Sequence, residues 1–295
     1  MTELETKDYQ LRAFMQNLNS IYLYNEFIKA IKSKDNKAIE ESRVFEVIHR
    51  MITRDNLMRH KLEPGTTLYR CRIIKEKDWE TSNNGISIEH NHITGFDKYN
   101  SKEPPLGLAP DGRANCPGST YLYVANNKYT ACAEVRPRLM DFISVAEFKV
   151  CRSLVILDFS ENQNVHSLTS DDDNVSIAKL ITNVMYEFCS VVSNSEKYTV
   201  TQYISDYIRK HGIDGICYRS SLTNGKNYTI FNCAEDNIQF QSSSIYFCQN
   251  INYDFIDINK EKFCRQKHSC KSSSISKICS KIKQEIQQIL ANREK

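Results

Sequence analysis

Ten residues scattered along the chain have types that could do chemistry. Arg70 and Arg72 sit in "TLYRCRII", and Arg113 and Asn115 in "GRAN". Tyr121 and Tyr123 sit in "TYLYVA", Glu134 in "ACAEV", and Ser220, Ser221 and Asn227 in "YRSSLTNGKN". Glu134 stands out because its neighbours, Ala133 and Val135, are those of a core position. It reads either as a solvent-facing residue on a short helix or as a catalytic carboxylate held on a rigid element. Taken singly, each of the others has a plain structural reading. A strand arginine pairs with an acid, a strand tyrosine fills a core, and a serine at a strand end caps a turn.

Familiar sites are excluded by spacing. The nine glycines form neither GxGxxG nor GxxxxGK, so there is no dinucleotide-binding turn and no P-loop. There is no HExxH and no GxSxG elbow. Cys264, His268, Cys270 and Cys279 match no standard zinc spacing, and His90 and His92 in "EHNH" read as a solvated turn.

The elements that must hold these residues follow from periodicity. Leu11, Phe14, Met15, Leu18, Ile21, Tyr22, Phe27, Ile28 and Ile31 recur at helical spacing over 8–33, and Val44 to Met51 predict a second helix over 37–53. Pro64-Gly65 breaks the pattern, and "TLYRCRII" reads as a buried strand. A long polar stretch, 76–112, carries no clear periodicity and is expected to border the site as a loop. "TYLYVA" is a strand, and Asn126 or Asn127 caps the short helix "KYTACAEV". "VAEFKV", "SLVILDF", "GICYRSS", "NYTIFN" and "IQFQ" read as strands. "SDDDNVSIAKLITNVMYEFCSVV" and "TVTQYISDYIRKHG" read as helices. The order is mixed rather than alternating, which predicts an α+β domain. Three parts are expected: a helical unit over 1–62, a mixed domain over 63–245, and a tail over 246–295.

The chain has 295 residues, 25% of them charged and 40% apolar, the composition of an ordinary globular protein. The net charge of +3 is too small to make nucleic acid the expected ligand. It is unevenly spread: residues 260–295 hold ten Lys/Arg and three Asp/Glu, an excess of +7, which leaves −4 elsewhere. Ile275, Ile278, Ile282, Ile286 and Ile289 predict a narrow-striped amphipathic helix in this tail. It is expected to dock on the N-terminal helices, a regulator or a second copy of the chain. No apolar run reaches membrane-spanning length and no export signal is visible. Eleven cysteines without a CxxC pair are expected to be reduced thiols in a cytoplasm.

Taken in order, the stretches "LYRCRI", "PPLGLAPDGRANCPGSTYLYVANNKYTACAEVRP", "ISVAEFKV", "LVILDFS", "VTQYISDYIRKHGIDGICYRSS" and "GKNYTIF" resemble the RES-domain family over about residues 65–233. The resemblance implies a mixed-sheet core akin to that of ADP-ribosyltransferase toxins. It implies degradation of NAD by phosphorolysis or hydrolysis, and restraint by a cognate antitoxin. NAD would then be the substrate, inorganic phosphate a co-substrate for phosphorolysis, and no cofactor or metal would be required. Glu134, Arg70 and Ser220 are the implied catalytic residues. Tyr123 is the implied substrate-binding residue, and Arg72, Arg113, Asn115, Tyr121, Ser221 and Asn227 are read as substrate-binding beside it. Ala114 replaces the tryptophan common in the family, and the pair Ser220–Ser221 leaves the family serine open, with Ser220 favoured.

The residue types suit that chemistry. Breaking the nicotinamide–ribose bond builds positive charge on the ribose, which a fixed carboxylate stabilises. Arginine binds two pyrophosphate oxygens at once. A tyrosine can stack on nicotinamide, and a serine hydroxyl can orient ribose. Two other readings stay open: an ADP-ribosyltransferase acting on a macromolecule, and a module that binds NAD or a partner without turnover. The presence of the full set argues against the second.

Overall fold

A computed structural model describes residues 3–53, 58–80, 86–89, 92–105, 109, 111–116, 118–160, 172–190 and 198–252. Helix α1 (Glu3–Ser33) is followed by α2 (Asn36–Glu40) and α3 (Arg43–Thr53). The single helix expected over 37–53 is thus two. Asp35 caps α2 by accepting from the Ala38 N–H, and a turn at Glu41–Ser42 separates the pair. On α3, Val44, Val47, Ile48, Met51 and Ile52 are buried, an i, i+3, i+4 face. Each such side chain contributes about 1.5–3 kcal/mol when fully buried.

That face does not close on a separate helical unit. Phe27, Ile31, Ile39, Ile48 and Met51 share one core with Ile181, Val184 and Phe188 of α7 (Asp172–Cys189) and with Ile204 and Ile208 of α8 (Thr199–Lys210). Leu157 and Ile216 of the main sheet, with Phe231 just after β9, complete it. Residues up to Gln249 form one compact unit, and the boundary expected at residue 62 falls in a strand of the sheet. Asn250–Lys295 cluster as a second unit, and the expected tail helix lies outside the described residues.

The sheet has eight strands in the order β1-β7-β8-β9-β5-β2-β6-β10. They are β1 (Arg59–Leu62), β2 (Thr67–Ile74), β5 (Leu122–Ala125), β6 (Phe142–Val150), β7 (Leu154–Asp158), β8 (Gly215–Arg219), β9 (Lys226–Ile230) and β10 (Ile238–Phe247). β7 and β8 are parallel, joined through α7 and α8; the other ladders are antiparallel. The fold is α+β with a mixed sheet. β6 and β10 run longer than the strand segments read from sequence, because each supplies the other with a nine-pair ladder. Gly65 makes the turn into β2 with φ at 88°, a conformation glycine adopts without strain.

The stretch 76–112 is not a plain loop. It contains α4 (Glu76–Glu80), a hairpin of β3 (Ser87–Glu89) and β4 (His92–Thr94), and α5 (Lys98–Ser101). These elements are three to five residues long, too short for periodicity to reveal. Among the described residues, no helix is long and apolar enough to cross a membrane.

Candidate active site

Glu134 is the last residue of α6 (Lys128–Glu134), the short helix expected after β5. Asn127 is the cap: its side chain accepts from the Thr130 N–H at 2.8 Å. An acid at a helix C-terminus meets the negative end of the dipole, so the helix itself does not favour this glutamate. Its support comes from the sheet. Ser220 donates its hydroxyl to Glu134 Oε1 at 2.6 Å, and Asn227 donates Nδ2 to the same oxygen at 2.7 Å. Among the described residues none donates to Oε2. Ser220 and Asn227 are buried, whereas Glu134 is exposed at the rim of a cavity.

Ser220 is itself fixed. Its Oγ accepts from the Leu222 N–H at 3.1 Å and the Thr223 N–H at 3.2 Å while donating to Glu134. Its neighbour Ser221 is exposed. The geometry therefore brings Ser220, and not Ser221, to the carboxylate.

The cavity has a volume of about 270 Å³. Ala131 and Glu134 of α6, with Val135 just after it, form one wall, with Tyr69, Arg70 and Cys71 from β2, Tyr123 to Ala125 from β5, and Tyr218 and Asn227 from β8 and β9. Tyr69 and Ala125, both in the lining, are also the single pair of the β2–β5 ladder. Strand alternation sends Leu68, Arg70 and Arg72 to one side of the sheet and Tyr69 and Cys71 to the other. Arg70 is among the residues that line the cavity, although its side chain leaves the pleat on the opposite side to α6. Its Nη1 is buried with no hydrogen-bond partner. Burial, then the charge of Arg72, pushes its pKa down to about 10, against the pull of Cys233, Glu103 and Tyr123. The guanidinium stays charged at neutral pH.

The other expected site residues are placed elsewhere. Arg72 is exposed, donates to the Asn100 carbonyl, and lies 5.5 Å over the Phe96 ring. Arg113 donates to the carbonyls of Glu187 at 2.8 Å and Ser190 at 2.6 Å, closing the C-terminal end of α7. It also sits over the rings of Tyr198 and Tyr218. Tyr121 packs edge-on against Phe231, with centroids 4.9 Å apart, in the shared core. Asn115 is buried and bonded to Tyr123 and to the Ser119 carbonyl. These four residues do not line the cavity. Sequence order put them beside the site, but their side-chain partners hold them away from it.

Tyr123 combines two roles. It lines the cavity, and its hydroxyl donates to Asn115 Oδ1 at 2.7 Å while accepting from the Ala114 N–H at 3.0 Å. Gly112 is required beside it: a Cβ there would fall 2.1 Å from Asn115 Oδ1 and 2.6 Å from the tyrosine hydroxyl. Tyr123→Phe keeps the ring but strands an amide oxygen and an N–H, so it should destabilise the protein by about 1–3 kcal/mol. Chemical denaturation checks this, and unchanged stability would show that the hydroxyl does not hold the "GRAN" turn.

Sequence reading missed Tyr69, Cys71 and Tyr218. Tyr218 is buried, and burial raises its pKa to about 12. Tyr69 lies beneath the Lys128 ammonium, 5.4 Å from its ring centroid. Their signal was present in "LYRCR" and "CYRSS", but a strand tyrosine there is indistinguishable from core. His90, Cys264, His268, Cys270 and Cys279 lie outside the described residues.

A family model described as "RES domain" matches residues 88–248, more than half of the chain. The chain belongs to the RES-domain family. The matched span holds Tyr123, Glu134, Ser220 and Asn227, and Arg70 precedes it. Among solved structures, this RES-domain chain is similar to a chain in the crystal structure of the M. tuberculosis MbcT–MbcA toxin–antitoxin complex. The identity is 11%, covering 69% of this chain and 93% of that one, with a TM-score of 0.35. A comparison with curated proteins found no match.

Proposed function

We propose that this RES-domain protein cleaves the nicotinamide–ribose bond of NAD. The observation that carries the reading is the Glu134 carboxylate, pinned through Oε1 by Ser220 and Asn227 at the rim of a cavity whose lining includes Arg70. In this reading the C1′–N bond breaks and its electron pair leaves with neutral nicotinamide. Positive charge develops on the ribose, and Oε2 of Glu134 faces it or accepts from a ribose hydroxyl. Pinning one oxygen holds the carboxylate in place before the charge appears, so little reorganisation is needed during the reaction. Ser220 and Asn227 act as positioning residues, since their donors are engaged by Glu134. Arg70 holds pyrophosphate oxygens, and the Tyr123, Tyr69 and Tyr218 rings supply stacking surface that excludes water.

Phosphate or water then attacks the anomeric carbon, giving a phosphorylated or a free ADP-ribose. As the family resemblance implies, such an activity would act as a toxin on cytoplasmic NAD and be restrained by an antitoxin protein. The test is incubation of the purified full-length protein with NAD, with and without inorganic phosphate, following nicotinamide and both ribose products. NAD loss is expected, and the product identifies the nucleophile. NAD that survives under both conditions overturns the reading. ADP-ribose found on protein in place of free product would redirect it to ADP-ribosyl transfer.

A further inference from the structure

Two thiols far apart in sequence meet behind the site. Cys71 on β2 and Cys132 on α6 have their sulfurs 3.5 Å apart, and both are free. Cys71 is buried and lines the cavity, while Cys132 is partly exposed. Glu134 follows Cys132 by two residues on the same short helix, and Arg70 precedes Cys71 by one on the same strand. The proposed chemistry uses neither thiol.

We propose that Cys71 and Cys132 form a reversible disulfide, driven by a low-molecular-weight disulfide such as oxidised glutathione, which pins α6 to β2 and slows the chemistry at Glu134. The disulfide stands on the thiol geometry alone; its effect on turnover rests on the reading of Glu134 above. A disulfide needs sulfurs about 2.05 Å apart, so closure brings the two sulfurs about 1.5 Å nearer and ties α6 to β2. A displacement of that size at a catalytic group is enough to cost orders of magnitude in rate.

Cys132 is the first nucleophile. It is the more accessible thiol, and its hydrogen bond with Cys71 lowers its pKa while that of Cys71 is raised, first by the same bond and then by burial. The Cys132 thiolate attacks one sulfur of the small disulfide and expels one glutathione thiolate. Cys71 then attacks the Cys132 sulfur of the mixed disulfide and expels the second. The two cysteine protons end on the two departing thiolates, so two protein thiols are oxidised as one glutathione disulfide is reduced.

The experiment uses the full-length protein in glutathione redox buffers. Free thiols are alkylated, linked peptides mapped by mass spectrometry, and amide exchange measured across 128–134. A linked Cys71–Cys132 peptide is expected, with slower exchange in α6 and NAD turnover lowered by about tenfold or more. Dithiothreitol should reverse all three. Cys132→Ser should show none of them, while its turnover in the reduced state matches that of the parent chain. The proposal is overturned if Cys71 and Cys132 remain alkylatable under conditions that oxidise the exposed Cys116 or Cys151. It is also overturned if the link forms and neither exchange nor turnover changes. A reduced protein that consumes no NAD counts against the NAD reading, while mapping and exchange still decide the thiol pair.

Discussion

Glu134→Gln is expected to lower NAD turnover by about 100-fold or more while the fold persists. The substitution is a narrow one. A glutamine side chain keeps an amide oxygen in the place of Oε1, where Ser220 and Asn227 both donate. Those contacts survive, and what is lost is the negative charge facing the ribose. Glu134 is exposed at the cavity rim, so its replacement removes no buried packing, and thermal unfolding should be close to that of the parent. Nicotinamide release measured beside a melting curve separates the two effects. Near-parental NAD loss in a folded Glu134→Gln protein would remove Glu134 from the mechanism. Asn227 and Ser220 would then read as ordinary partners of a surface acid.

Arg70→Met is expected to weaken NAD binding by about 10- to 150-fold, the equivalent of one charge-assisted contact of about 1.5–3 kcal/mol. Arg70 carries a buried nitrogen with no partner in the free protein, a costly state that a pyrophosphate oxygen would relieve. Arg70→Lys should recover little, because an ammonium cannot present two parallel donors. The measurement is the rise in unfolding temperature caused by a non-cleavable NAD analogue, which reports binding without turnover. An equal rise in the parent and both variants would show that the pyrophosphate is held elsewhere. Arg113 is a poor replacement, since its guanidinium closes the end of α7.

Much of this protein could be read directly from the order of its residues. Apolar periodicity located α1, α7 and α8, and the run "NNKYT" marked the cap of α6, because these signals depend on neighbours within a few positions. Family likeness in "ACAEV" and "YRSS" named Glu134 and Ser220 before any geometry was known. Local signals were silent on short elements. The hairpin of β3 and β4 and the helices α4 and α5 hold three to five residues each, fewer than two repeats of their period.

What only the tertiary structure decided is which residues near the site in sequence also face it in space. Alternation along a strand has a period of two, so a one-residue difference in position reverses a side chain. Arg72 follows the pleat of Arg70 yet ends exposed over Phe96, beyond the edge of the cavity. Tyr121 and Tyr123 share a face, but one packs on Phe231 and the other reaches the cavity. Arg113 and Asn115 turned to partners from α7 and the following turn, contacts that no local pattern encodes. The same holds for the N-terminal helices. Their apolar faces were visible in the sequence, but that Phe27 and Ile48 share a core with Ile181 and Ile204 depends on contacts across most of the chain. Residue types and spacing name the side chains able to do chemistry, whereas strand register and long-range packing determine which of them converge on one carboxylate.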